Sequence, residues 1–186
     1  MPLHMFEKLL VSIAKQFENY DIPYIIIGGQ AVLLYGEPRL TKDIDITIGL
    51  NIDMVDKIVK IMQEISLKPL PKDLNQFVKQ TMVLPLIETE SGTRVDLIFS
   101  FSQFEQDALK RANIITINNT GVRYASLEDM IIFKVFSGRP RDIEDARKIL
   151  VKNQNADIKY IKEQLKILSL EERDLMQDFN RILDSI

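Results

Sequence analysis

The run Asp43-Ile44-Asp45-Ile46-Thr47-Ile48 constrains this chain more than any other stretch. Its strict alternation reads as a β-strand, because successive side chains of extended backbone point to opposite faces. Asp43, Asp45 and Thr47 then share one face, above a buried row of three isoleucines. At a rise of ~3.3 Å per residue the two carboxylates start ~6.5 Å apart. At an effective dielectric of ~20 their repulsion is on the order of 2.5 kcal/mol. A divalent cation converts that cost into chelation, and Mg²⁺ prefers oxygen ligands and commonly arrives with substrate phosphates.

A place for phosphate lies just upstream. Tyr24 to Ile27 is a short apolar strand, Gly28-Gly29 turns it into a brief helix over Gln30–Tyr35, and Gly36 and Pro38 stop that helix. Backbone N–H groups at such a turn can approach a phosphate, aided by the field of the helix N-terminus. By itself this is a weak signal, since a Gly-Gly pair at a strand-to-helix junction is usually just a tight turn.

Apolar spacing predicts a first helix from Leu3 to Tyr20 and another carrying Val55, Ile58, Val59, Met62 and Ile65, capped by Asn51 or Asp53. Pro69 and Pro71 close that segment, and a short helix is expected over Asp73–Lys79. Met82–Glu88 and Thr93–Phe99 read as two strands joined by a turn at Thr89–Gly92. Arg94, Asp96 and Ile98 share one face of the second arm, so Asp96 rises beside Asp43 and Asp45 if both strands pack on the same core. A helix over Phe101–Ala112 and a hairpin around Asn118-Asn119 follow. Ser126 with Asp129 has the spacing of a capping box opening a helix over Leu127–Phe136. Pro140 suits the first turn of a helix over Arg141–Val151, and helices over Asp157–Leu168 and Leu170–Leu183 end the chain. The expected class is α/β, a mixed sheet flanked by helices with a helical C-terminal region, divided as a core at 1–125 and helices at 126–186.

Composition narrows the chemistry. A chain of 186 residues with net charge −3 presents no broad basic surface for duplex nucleic acid. With no cysteine there are no disulfides, thiolate nucleophiles or cysteine-held zinc, which fits a reducing cytoplasm. The single histidine, His4, lies near the terminus and is poorly placed for Ser-His-Asp chemistry. No apolar run approaches the ~20 residues of a membrane span, so no membrane partner is expected.

Taken together, a strand ending in Gly28-Gly29, a short helix, Asp43-Ile-Asp45 in the next strand and Asp96 in a later one resemble the nucleotidyltransferase superfamily that includes polymerase β. The stretches Arg39-Leu-Thr41-Lys42-Asp43-Ile-Asp45 and Gly138-Arg139-Pro-Arg141-Asp142-Ile-Glu-Asp145 look most like its AbiEii-type and related prokaryotic branch. The resemblance spans roughly Tyr24 to Leu150. It implies that Asp43 and Asp45 hold two Mg²⁺ ions carrying an NTP, and that Asp96 assists the metal nearer the attacking hydroxyl and helps deprotonate it. Two such ions stabilise the attacking and leaving oxygens of an in-line displacement. Pyrophosphate would leave and a nucleoside monophosphate would pass to a hydroxyl of an RNA, a protein or a small molecule. Gly29 stands where the family often has Ser, leaving backbone donors alone at that turn.

Around this constellation several residues carry two readings. Lys134 shares a helix face with Leu127, Met130 and Ile131; its ammonium either snorkels from the core edge or reaches the triphosphate. Arg39 and Lys42 either neutralise the strand carboxylates or hold phosphate. Arg139 and Arg141 are either solvated or meet phosphate or acceptor. Asp142, Glu144 and Asp145 suit the positive end of their helix, while the resemblance adds Asp142 to the nucleotide site. The leading expectation is a Mg²⁺-dependent nucleotidyltransferase. The alternative is a non-catalytic module of the same fold, such as one half of a toxin–antitoxin pair with an antitoxin-like partner.

Overall fold

The computed structural model describes residues 3–38, 41–169 and 173–186. Arg39, and the side chain of His4, lie outside the described residues. The order of elements is α1 (Leu3–Asn19), β1 (Tyr24–Ile27), α2 (Gly28–Tyr35), β2 (Asp43–Ile48), α3 (Val55–Gln63), β3 (Leu67–Pro69), α4 (Leu74–Thr81), β4 (Val83–Glu88) and β5 (Arg94–Phe99). It continues with α5 (Gln103–Lys110), β6 (Asn113–Ile117), β7 (Thr120–Tyr124), α6 (Leu127–Ser137), α7 (Pro140–Lys152), α8 (Ile158–Leu168) and α9 (Leu175–Asp184). The α/β class holds: seven strands form one mixed sheet in the order β3-β4-β5-β2-β1-β7-β6.

The strand that carries Asp43 and Asp45 is central. β1 runs antiparallel to β2 and β5 runs parallel to it, with Ile27 opposite Asp45 on one side and Asp96 opposite Asp45 on the other. In this register Ile44, Ile46, Ile48, Val95, Leu97 and Phe99 point to one face, and all six are fully buried. α1 covers that face, its Phe17 ring 4.9 Å from the Tyr24 ring. α3 packs beside it, where Gln16 Nε2 donates to Glu64 at 3.0 Å. The opposite face is covered at one end only: Thr47 is fully buried, whereas Asp43, Asp45 and Asp96 are only partly so. The alternation therefore sorts the two faces at the site end of β2, and a burial of both faces takes over at the other.

Side-chain caps mark most helix starts. Asp73, Asp157 and Asp174 each accept a backbone N–H in the first turn, and Ser102 with Glu105 forms a full capping box. Several expectations need correction. Neither Asn51 nor Asp53 caps α3 by its side chain; the chain enters α3 through a 3₁₀ turn at Ile52–Met54. Ser126 accepts from the Asp129 N–H at 3.1 Å, but Asp129 does not complete the box, because its carboxylate is drawn instead to Arg111 and Tyr160. The segment ended by Pro69 is an edge strand, β3, paired with β4. The last helix begins at Leu175, while 170–172 fall outside the described residues. Among the described residues no helix is long and apolar enough to cross a membrane.

Candidate active site

Three carboxylates stand on neighbouring strands of one sheet face. The parallel pairing sets Asp45 directly beside Asp96 and Asp43 beside Arg94, and the turn after β4 joins β5 to β4 in an antiparallel ladder. There Glu88 accepts the N–H groups of Glu90 at 3.0 Å and Ser91 at 2.6 Å. Gly92 takes a left-handed φ of +70°, where glycine alone is unstrained.

The Gly28-Gly29 turn closes on the middle carboxylate. Gly28 has φ +64°, and a Cβ built on it would lie 1.9 Å from Asp45 Oδ2. A side chain at 28 would thus meet both a forbidden backbone region and a carboxylate. α2 begins at Gly28 and not at Gln30, so both glycines belong to its first turn. The Gly29 backbone N–H lies near the Asp45 carboxylate and favours its charged form.

Burial first, and then the charges of Asp43 and Asp96, push the Asp45 pKa up to about 6; Lys134 and the Gly29 N–H oppose the rise. Asp45 therefore feels the charge of both neighbouring carboxylates. Asp43 and Asp96 each also have a donor from the protein. Thr41 Oγ1 donates to Asp43 Oδ1 at 3.1 Å, and Arg94 Nε donates to Asp96 Oδ1 at 2.8 Å. That last bond, with Asp43 and Asp45 nearby, raises the Arg94 pKa. Among the described residues no three acidic side chains gather closely enough around one point to hold a metal as they stand. The donor set nevertheless suits a hard cation: it is all oxygen, on one face, beside a turn that excludes a side chain.

The remaining sequence candidates divide. Lys134 is buried, with its ammonium 2.5 Å from Asp142 Oδ1 and 3.2 Å from Asp145 Oδ2. It does not snorkel; two carboxylates from the first turns of α7 hold it inside, where its charge is felt at Asp45. Asp142 has both oxygens engaged, the second by Ser137 Oγ at 2.7 Å. Burial would raise its pKa, but the bonds from Lys134 and Ser137 outweigh it and hold it below the ordinary carboxylate value. Arg139, the N-cap of α7, is 83% exposed and 4.0 Å from Asp142; Arg141 and Lys42 are exposed. Sequence reasoning missed Thr41 and Arg94 as partners of the carboxylates, although both stand two residues before an Asp, the spacing that puts them on the same face of a strand.

The model of a family described as "Nucleotidyltransferase of unknown function (DUF6036)" matches residues 3–182. No curated protein matches the chain in sequence. Among solved structures, the antibiotic-resistance factor ANT(2'')-Ia superposes with a TM-score of 0.60 at 14% identity, over 98% of this chain and 95% of that one. The same factor in complex with adenylyl-2''-tobramycin gives 0.57 at 15%, over 86% and 96%. The lincosamide antibiotic adenylyltransferase LnuA, lincomycin-bound, gives 0.50 at 18%, over 74% and 91%. At these identities the likeness is one of fold. It reaches the nucleotidyltransferase fold at large and does not single out the AbiEii-type branch.

Proposed function

The chain belongs to this nucleotidyltransferase family, and we propose that it transfers a nucleoside monophosphate from an NTP to a hydroxyl of an acceptor, with release of pyrophosphate. The observation that carries this reading is the pairing of Asp45 with Asp96 in register, under a Gly28 that leaves no room for a side chain beside the Asp45 carboxylate. Asp43, Asp45 and Asp96 would hold Mg²⁺, two ions in all. Bound there, Mg²⁺ would neutralise phosphate charge and polarise the reacting oxygens. The Gly28-Gly29 turn would seat the triphosphate through backbone N–H groups at the start of α2. Asp96, on the outer side of the trio, would accept the proton of the acceptor hydroxyl.

Lys134 acts here through Asp45, lowering the cost of the ionised form from a fixed buried position, and Asp142 acts by holding Lys134. Arg39, Lys42 and Arg139 lie in or flank the segments that carry the site and are assigned to the phosphates. In this reading 1–125 forms the transferase core and 126–186 supplies Lys134 and its carboxylate partners. The adenylyl transfer named for ANT(2'')-Ia and LnuA makes ATP the first donor to test, and their antibiotics put a small-molecule hydroxyl ahead of RNA or protein as acceptor.

The test is incubation of the full chain with Mg²⁺, each labelled NTP and fractionated cell extract, alongside Asp45→Asn. Asp45-dependent pyrophosphate release with label on an acceptor is the expected result. A wild type that releases none with any NTP across the fractions would refute the reading.

A further inference from the structure

Two of the three carboxylates are held at one point by a side-chain donor belonging to the protein, and the two donors differ. Asp43 Oδ1 takes the Thr41 hydroxyl at 3.1 Å and Asp96 Oδ1 takes Arg94 Nε at 2.8 Å, while Asp45 lies near the Gly29 backbone N–H. Arg94 is half exposed, its guanidinium anchored by Asp96. The single Thr41 proton is shared between Asp43 Oδ1 and the Asp43 backbone carbonyl, 3.2 Å from Oγ1. Gly29 is buried in the first turn of α2. Arg94 stands opposite Asp43 and two residues before Asp96, so its charge lies against the whole trio.

A carboxylate oxygen already engaged by a fixed donor has one lone pair left, so the unengaged oxygen is the better ligand and one-oxygen ligation is favoured over two-oxygen. That distinction separates two hard cations. Mg²⁺ demands a compact octahedral shell and keeps several waters, while Ca²⁺ takes more ligands at longer distance and commonly uses carboxylates through both oxygens. Groups behind the ligands orient them, and their loss is felt typically ten- to a hundred-fold in metal affinity.

We propose that Thr41 and Arg94 are the metal-selectivity determinants of this site: by holding one oxygen of Asp43 and one of Asp96 they favour one-oxygen ligation and tune the trio to Mg²⁺ and Mn²⁺ against Ca²⁺. The proposal rests on the divalent-metal reading of the carboxylates given above. Thr41 and Arg94 are positioning residues, acting through Asp43 and Asp96.

The experiment follows metal binding and needs no acceptor. Mn²⁺ binding to the full chain is measured by electron paramagnetic resonance, and Mg²⁺ and Ca²⁺ are each titrated as competitors. The proteins compared are the wild type, Thr41→Val, Thr41→Ser, Arg94→Ala and Asp45→Asn, each checked for native thermal unfolding. Expected are Mn²⁺ binding that Asp45→Asn abolishes and a wild-type preference for Mg²⁺ over Ca²⁺. That preference should fall by about tenfold in Thr41→Val and in Arg94→Ala, and return in Thr41→Ser, which keeps the donor. Should one variant fail to fold, the other still decides. Wild-type Mn²⁺ binding that Asp45→Asn abolishes, with a Mg²⁺/Ca²⁺ ratio unmoved in both variants, overturns this proposal and spares the metal reading. Absence of Asp45-dependent Mn²⁺ binding overturns both.

Discussion

Asp45 and Asp129 are two carboxylates withdrawn from water in one protein under opposite regimes. Asp129 is fully buried, yet every direction it faces offers a donor. Arg111 Nη2 and the Tyr160 hydroxyl reach Oδ1, each at 2.9 Å, and Arg111 Nε reaches Oδ2 at 3.1 Å. The guanidinium also lies 5.2 Å from the Tyr160 ring centre. Burial, and then the charge of Asp129, raise the Tyr160 pKa, so the phenol stays a donor. This cluster ties the chain after α5 to α6 and α8. Asp45 is less buried but faces two more carboxylates, and its pKa is displaced upward to about 6. One charge is matched and serves the fold; the other is left in excess and is available to a cation. The pairing of a buried group, more than its burial, separates scaffold from site.

That contrast can be broken at Asp129. Asp129→Asn leaves the Arg111 charge without its partner; because the guanidinium is 36% exposed, the cost falls below that of a fully buried pair, at about 2–3 kcal/mol. Denaturant midpoints should fall accordingly. An unchanged midpoint would mean that the cluster is not the tie described here.

At Asp45 the same chemical change should do the reverse to stability while removing activity. Asp45→Asn should cut pyrophosphate release by about 10²–10³-fold, the scale of losing a group that meets developing charge. Stability follows from linkage. The folded pKa of about 6 lies above the model value of 3.8, so the wild type binds more protons folded than unfolded between these values. Its stability therefore falls as pH rises from 4 to 6. At ~1.4 kcal/mol per unit, Asp45→Asn should be more stable than the metal-free wild type by about 3 kcal/mol at pH 8. The gain should fade near pH 4. Thermal melts across pH, with chelator present, check this, and a pH-independent difference would count against the displaced titration.

Gly28→Ala adds a methyl to the crowded side of Asp45 and forces alanine into a left-handed conformation, worth about 1–2 kcal/mol before any clash. Loss of activity should exceed what that destabilisation explains, as judged by assaying well below the melting temperature. The smallest effect should be found at the surface pair of Lys148 and Glu37, 2.7 Å apart but substantially exposed. Glu37→Gln should barely move the melting temperature, and added salt should erase what difference there is.

Much of this architecture was legible because local period and tertiary placement agree. Ile44, Ile46 and Ile48 alternate with Asp43 and Asp45, and the sheet uses that alternation where the site lies. Asp96 could be placed on the correct face since Val95, Leu97 and Phe99 must go inside together. What escaped notice depends on pairing across distance. β3 is three residues long and contains Pro69, tolerated only because an edge strand need not donate on both sides. The partners of Asp129 lie 18 and 31 residues away, so the local Ser126 spacing suggested a reciprocal cap that the longer-range donors override. Lys134 has the sequence position of a phosphate-reaching lysine. Nothing nearby in the chain announces that Asp142 and Asp145 will meet it first.

The hairpin turn at 88–93 gives the trio a discrete response to changes of chain length. One residue inserted after Glu88 would advance β5 by a single step, and parity alone would send Asp96 into the layer occupied by Leu97 and bring Val95 or Leu97 up in its place. Two inserted residues would restore the facing but leave the carboxylate ~6.6 Å away along the strand. Lengthening this turn is thus a sharper way to silence the protein than many substitutions, since no side-chain flexibility can undo an odd step.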